Sequence, residues 1–341
     1  MRVLLVGGTG LISSAIVREL VARGDEVTVV NRGRTAAPPD GVRHLEVDRT
    51  DPAALSQAVA GAGPFDAAID MVGYEPADAE GAVAALRGRV GRFVFCSTVA
   101  VYTKPAPRYP IREEAERHPS PAFPYALRKA RCEEILWAAH DGGDLAVTVL
   151  RPAFTYGEGR GLVHTFGGGT AHLDRLRKGK PIVVHGDGTS LWCACHRDDV
   201  ARAFVATVAN PATAGRAYHV AGDEWFTWNE YHAVAAAALG GPPPTLVHIP
   251  TDLLARADPE RAWICAENFR FNNLFDNAAA RADLGFRQSI PFADGARRIV
   301  AWLNANGGLE DSDADPRDDR LIAAWHRLGA DFLHALQPPA A

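Results

Sequence analysis

Short runs of Val, Ile, Leu and Ala at 3–6, 26–30, 44–47, 67–71, 93–96 and 146–150 alternate with stretches whose apolar residues recur at helical spacing. That alternation limits the fold more than any other feature of the chain. Strands that are apolar throughout are covered on both faces, and strands separated by helices pair in parallel. The expected fold class is α/β, a doubly wound parallel sheet built from those runs, with helices at 12–23, 52–60 and 125–140. The rhythm breaks after Leu150. Loops and helices dominate from there, among them FGGGTAHLDRLRKGKP, the proline cluster GGPPPT and the acidic stretch GGLEDSDADPRDD, which reads as an exposed linker to a last helix at 321–336.

At 341 residues and 47% hydrophobic content the chain can bury a large core, and its length suits two lobes. Net charge is −5 and the arginines are scattered singly, so there is no basic footprint for nucleic acid or an anionic membrane, and a small-molecule partner is expected. The apolar start is too short for a signal-peptide core and no later run reaches spanning length; a cytoplasmic location without membrane contact is expected. The cysteines, Cys96, Cys132, Cys193, Cys195 and Cys265, are odd in number in a chain that needs no covalent staples, which argues for free thiols. Cys193-Ala194-Cys195-His196 lacks the paired C-x2-C spacing of a metal site and reads as alternation along a strand, so no metal is expected.

The stretch GGTGLIS follows the first run. Its Gly7, Gly10 and Ser13 depart only at the third position from the glycine fingerprint of a dinucleotide site. Gly7 permits a tight turn, and Gly10 lets a pyrophosphate approach the N-terminus of the next helix, where unpaired N–H groups favour negative charge. Ser13 adds a hydroxymethyl group where helix and strand pack, so slightly wider packing with retained binding is expected. Farther on, CSTVAVY places Thr98 at the end of the fifth run, and YALRK places Tyr125 and Lys129 four apart on one helix face. A phenol that titrates near about 10 is drawn toward phenolate by such an ammonium, and so toward work as a general base.

In order, GGTGLIS, Asp48 after the third run, CSTVAVY, PYALRK, LRPAFTYG, GKPIVVHGDGT, HRDDVARAF, AYHVAG and DNAAARADLGF resemble the extended short-chain dehydrogenase/reductases, specifically the NAD-dependent epimerase/dehydratase group, over residues 1–303. The resemblance implies a Rossmann-type nucleotide domain, 1–152 plus 196–222, and a smaller C-terminal substrate-binding lobe, 153–195 plus 223–341. It implies that Tyr125 is the base, that Thr98 bonds the same substrate oxygen, and that Lys129 binds nicotinamide ribose and tunes the tyrosine. For the cofactor, NAD with NADP also feasible, it implies contacts from Gly7, Gly10, Leu11, Ile12, Asn31, Arg32, Asp48 at the adenine, Arg49, Met71 and Pro152. The expected reaction is a redox-neutral epimerisation or dehydration through a transient ketone; the alternative is a reductase with net redox change. A homodimer is implied by resemblance only.

Departures from the family pattern carry the expectations about substrate. Where nucleotide-sugar members place an arginine for the diphosphate this chain has Trp192, and where they place an asparagine it has Phe154. Losing two charge-assisted bonds weakens a diphosphate ligand by roughly a hundredfold or more. A free or monosubstituted sugar, cyclitol or nucleoside is therefore expected, with Arg151, Arg160 and Arg270 as alternative cations for a diphosphate. The second run ends in Asn31-Arg32-Gly33-Arg34 with no acidic residue to repel a 2′-phosphate. Val99 and Ala100 follow Thr98 where dehydratases carry an acid pair, leaving Glu158, His164, Tyr74 and Cys96 as candidates for further acid–base work. Tyr74, Glu158 and His164, with Thr98, Phe154 and Trp192, are the expected substrate residues; Glu158 and His164 lie in a glycine-rich loop able to close over a ligand.

Overall fold

The structure is a computed structural model and describes residues 1–34 and 36–337. Seven parallel strands form the central sheet: β1 (Arg2–Val6), β2 (Glu26–Asn31), β3 (Arg43–Glu46), β4 (Ala67–Asp70), β5 (Phe93–Cys96), β6 (Val147–Pro152) and β7 (Arg216–Val220). Their order is β7-β6-β5-β4-β1-β2-β3. The helices that cover it are α1 (Leu11–Ala22), α2 (Pro52–Ala62), α3 (Pro76–Leu86), α4 (Pro124–Asp141) and α5 (Arg197–Ala209). Both faces are buried. Val3 and Leu5 pack with Ile16 and Leu20 of α1 and Phe204 of α5. Leu4, between them, packs on the other face with Leu55 of α2, Leu86 of α3 and Leu136 of α4. Strand alternation thus feeds two cores, which is why the inner strands are largely apolar on both faces. β6 runs two residues beyond the expected apolar stretch because Arg151, fully buried, finds a carboxylate in Glu133.

The chain divides into two compact units: Met1–Gly157, Cys193–Trp225 and Asn273–Phe292 in the first; Glu158–Trp192, Phe226–Asn272 and the residues from Ala293 on in the second. The first unit is thus built from three segments of the chain. In that third segment Asn277 exchanges hydrogen bonds with both backbone groups of Ala221, at 2.9 and 3.2 Å, and Asp283 accepts the Tyr218 hydroxyl at 2.9 Å. Asp199 at the start of α5 accepts the Ser289 hydroxyl and the Ile290 amide.

In the second unit, strand Ile182–His185 pairs in parallel with Leu246–Ile249, and helices flank them. The acidic stretch is exposed, as expected from its charge, and it is also tied to the rest of its unit. The Glu310 carboxylate accepts from the amides of Thr170 and Ala171 at 2.5 and 3.0 Å, the Ser312 amide donates to Asp174, and the Lys178 ammonium donates to Asp311 and Asp313. Carboxylates that find helix-start amides and an ammonium bind instead of repelling one another. The last helix, Arg317–Ala335, accordingly begins four residues before the apolar pattern does.

Candidate active site

The sheet order reverses beside β1, at the crevice where dinucleotides bind in such sheets. There the chain leaves Val6 through Gly7 and Gly8, with φ angles of +118° and +96°. A Cβ on Gly7 would stand 3.3 Å from Met71 and Val72 just past β4, and one on Gly8 would stand 2.6 Å from Val29 of β2. Gly8 has no place in the G-x-x-G-x-x-S pattern, yet it is the more confined of the two. Gly8→Ala is expected to lower stability by about 2 kcal/mol or more; a urea midpoint equal to that of the unaltered chain would contradict this.

Gly10 begins α1, where no side chain caps the helix and no acidic residue occupies the first turn, so its positive end is open to an anion. Ser13 is nearly fully buried, and its hydroxyl accepts the Gly10 N–H at 2.8 Å. The serine is therefore also a tie between turn and helix. Two confined glycines, an uncapped helix and the neighbouring amides of Leu11 and Ile12 fit a dinucleotide pyrophosphate.

Two of the expected cofactor residues also bond within the protein. The Asn31 side chain donates to the Gly7 carbonyl at 2.8 Å, and its oxygen accepts from the Gly33 amide at 2.8 Å and lies 3.0 Å from His44 Nε2. One N–H and the oxygen of its amide thus hold the turn together. Arg49 donates to both oxygens of Asp70 at 2.7 Å and to the Asp78 carbonyl at 2.6 Å. Asp70 is fully buried and needs that counter-charge. Asp48 is half-buried; hydrogen bonds from Thr50 hold its carboxyl below the usual range, and Arg32 stands 3.9 Å away. Arg32 and Arg34 are both exposed.

The chemistry-bearing side chains gather at the C-terminal edge of β5. α4 opens with Pro124 at its first position and presents Tyr125, half-buried, and Lys129, 1% exposed. The Lys129 ammonium donates to the Cys96 carbonyl at 2.7 Å, with the Tyr74 ring centroid 4.9 Å and the Phe95 centroid 4.6 Å away. Burial pushes the Lys129 pKa down, while the charge of Asp70 acts in the opposite sense. The Tyr125 ring stands 6.5 Å from that of Tyr74 and 6.1 Å from that of Phe123. Thr98, half-buried, accepts the Ala100 amide at 3.2 Å, which leaves its own hydroxyl proton to donate outward. The Cys96 thiol is pushed up to about 11 by burial, so it is no base at neutral pH. Pro152 ends β6 opposite Val220, and the half-buried Phe154 stacks on Tyr156 at 6.4 Å.

The remaining expected residues belong to the second unit. Trp192 is 5% exposed and packs 5.0 Å from both Trp228 and Phe269, as part of an aromatic core. His164 stacks on His172 at 4.4 Å, and Glu158 is half-buried at the start of the same loop. Of the alternative cations, Arg151 is buried against Glu133 and Arg270 pairs with Asp252 at 2.6 Å, while Arg160 is exposed. Cys193 and Cys195 pack in separate apolar clusters. Among the described residues no group of three or more His, Cys, Asp or Glu is placed to hold a metal ion, and no helix is long and apolar enough to cross a membrane.

The model of the NAD dependent epimerase/dehydratase family matches residues 3–221. The chain is 32% identical to 2'-dehydrokanamycin reductase of Streptomyces kanamyceticus over 95% of its own length and 90% of the relative's. It is 28% identical to a dTDP-glucose 4,6-dehydratase of an Actinoplanes species, over 90% of this chain and 98% of that one. The crystal structure of UDP-glucose 4-epimerase from Thermotoga maritima superposes with a TM-score of 0.70 at 22% identity, covering 90% of this chain and 99% of that one.

Proposed function

We propose, for a chain that belongs to the NAD-dependent epimerase/dehydratase family, a nicotinamide-dependent oxidoreductase that interconverts a ketone and a secondary alcohol on a carbohydrate or nucleoside ring without a nucleotide diphosphate, working as a net reductase. The observation that carries this reading is the grouping of Lys129, held by the Cys96 carbonyl, with Tyr125 one helical turn before it and Thr98 two residues beyond Cys96.

A bound nicotinamide dinucleotide supplies the hydride; Gly7, Gly8 and the start of α1 are the residues to hold its pyrophosphate. The protein manages the substrate oxygen. Thr98 donates a hydrogen bond to it, and the Tyr125 hydroxyl delivers the proton as the ketone becomes an alcohol, or removes it in the reverse direction. Lys129, kept in place by Cys96, favours the tyrosinate that remains. Tyr74 and Phe123 flank the phenol with apolar ring surface.

Net reduction is favoured because Val99 and Ala100 after Thr98 are 7% and 8% exposed within a tight turn. No acid–base pair stands there to drive an elimination. The Streptomyces kanamyceticus relative, a reductase by name, supports the same direction. The redox-neutral cycle uses the same three side chains and is supported by the dehydratase relative; the two differ in whether reduced cofactor is consumed. The assay is the loss of reduced-nicotinamide absorbance with a panel of inososes and uncharged ketosugars. Stoichiometric consumption is expected. Epimerised or dehydrated product without consumption would establish the redox-neutral cycle instead, and micromolar binding of UDP-sugars by calorimetry would remove the claim about diphosphate.

The end of β2 supports NADP as a partner. Arg32→Ala is expected to weaken NADP about tenfold, the worth of one charge-assisted bond, and to change NAD less than about twofold. Equal effects on both cofactors in a fluorescence titration would count against a 2′-phosphate contact.

A further inference from the structure

The sheet edge that bears Thr98 is joined to α4 by a second, fully buried polar link. Glu133 lies four residues beyond Lys129 on the same helix face, and its side chain has no solvent exposure. One carboxylate oxygen accepts the Ser97 hydroxyl at 2.5 Å and the Arg151 Nε–H at 2.9 Å; the other accepts Arg151 Nη2 at 2.7 Å. Arg151 Nη1 donates to the Tyr102 hydroxyl at 2.6 Å and to the Glu113 carbonyl at 2.9 Å. The Tyr102 hydroxyl meets His219 Nε2 at 2.6 Å, and His219 Nδ1 meets the Asp276 carbonyl at 2.9 Å. Arg117 stands 3.6 Å from Glu133.

We propose that Ser97 and Glu133 are positioning residues that set Thr98 against Tyr125, with Arg151 holding Glu133 in the required rotamer. The inference rests on the roles given to Thr98 and Tyr125 above. Its geometry is specific: consecutive residues of the strand end, Cys96 and Ser97, are held by consecutive turns of α4, at Lys129 and Glu133. Two such ties fix both the distance and the register between strand end and helix. A single tie would leave the helix free to slide, and displacements of about an ångström can cost as much as a hundredfold in rate. Because the carboxylate is buried and forked by a guanidinium, its bond to Ser97 is of the stronger, charge-assisted kind. Around the pair, burial keeps His219 uncharged, down at about 3, and raises the Tyr102 phenol, while Arg117 adds a second cation beside Glu133 and the Glu113 carboxylate accepts the His219 amide.

The test separates position from folding. Ser97→Ala removes one hydroxyl and leaves the Glu133–Arg151 pair intact; Ser97→Thr keeps the hydroxyl. On the ketone panel Ser97→Ala is expected to lower kcat about tenfold with cofactor dissociation constants within about twofold, and Ser97→Thr to restore kcat. A readout that needs no substrate is the Tyr125 phenolate, taken as the absorbance difference from Tyr125→Phe with NAD bound. Its midpoint is expected to rise by about half a pH unit or more in Ser97→Ala, as Lys129 loses its fixed seat, and to return in Ser97→Thr. An unshifted midpoint in Ser97→Ala overturns the proposal whatever the panel gives. Activity surviving in Tyr125→Phe overturns the proposed function instead.

Discussion

Tyr125→Phe is expected to lose about a thousandfold or more in kcat while binding NAD or NADP within about twofold of the unaltered protein, since general acid–base catalysis contributes on that scale. The ring remains and only the hydroxyl goes, so packing against Tyr74 and Phe123 is preserved. The Lys129 ammonium keeps its bond to the Cys96 carbonyl, which does not depend on the phenol. A cofactor titration beside the turnover assay distinguishes loss of chemistry from loss of binding. Retained turnover with intact binding would transfer the proton to another group. Tyr74, with its ring 6.5 Å away and nearly half exposed, is the neighbour to examine by the same substitution.

Acid is expected to unfold the second unit well before carboxylates titrate in bulk. Burial holds His164 and His185 down at about 4, His232 at about 3, and His172 well below its ordinary value. Neither ring nitrogen of His172 or His232 has a hydrogen-bond partner in the protein among the described residues, so nothing there welcomes a proton. In the unfolded chain each imidazole titrates near about 6.5. Below that pH the unfolded chain binds more protons than the folded one. The stability these groups contribute is therefore complete above about 6.5, falls as the pH drops, and is lost once the folded values are passed. Each group costs about 1.4 kcal/mol per pH unit in that window, and together they reach a large part of a typical domain's stability. Thermal midpoints taken from pH 7.5 down to about 4.5 should fall steeply below 6.5. His172→Phe, which keeps a ring stacked on His164, should flatten the slope by about one proton. Midpoints that stay level between pH 7 and about 5 would refute the role given to burial.

The strands and the nucleotide turn were legible because each is encoded by neighbours in sequence: apolar runs by length and glycines by spacing. Tyr125 and Lys129 were legible for the same reason, as one helix face. What escaped was decided by partners far along the chain. The bonds of Asn31 to Gly7, Gly33 and His44 are visible only in the folded chain. So is the pairing of Arg49 with Asp70. The acidic stretch reads as solvated and is exposed, but its bonds to Thr170, Asp174 and Lys178, more than a hundred residues earlier, leave no local signal. The double tie at β5 left no local signal at all, because Ser97 and Glu133 are ordinary residues until the sheet and α4 pack.

The late return of Asn273–Phe292 to the first unit has a bearing on how the protein is made. Asp199, Tyr218 and Ala221 wait for bonds from residues the ribosome has not yet added. The sheet's strands are all translated by Val220, yet the layer that seals its last edge arrives some seventy residues afterwards. A nascent chain stalled in that interval would carry unpaired buried carboxylate and carbonyl groups. It would be the form most exposed to proteases and most in need of a chaperone.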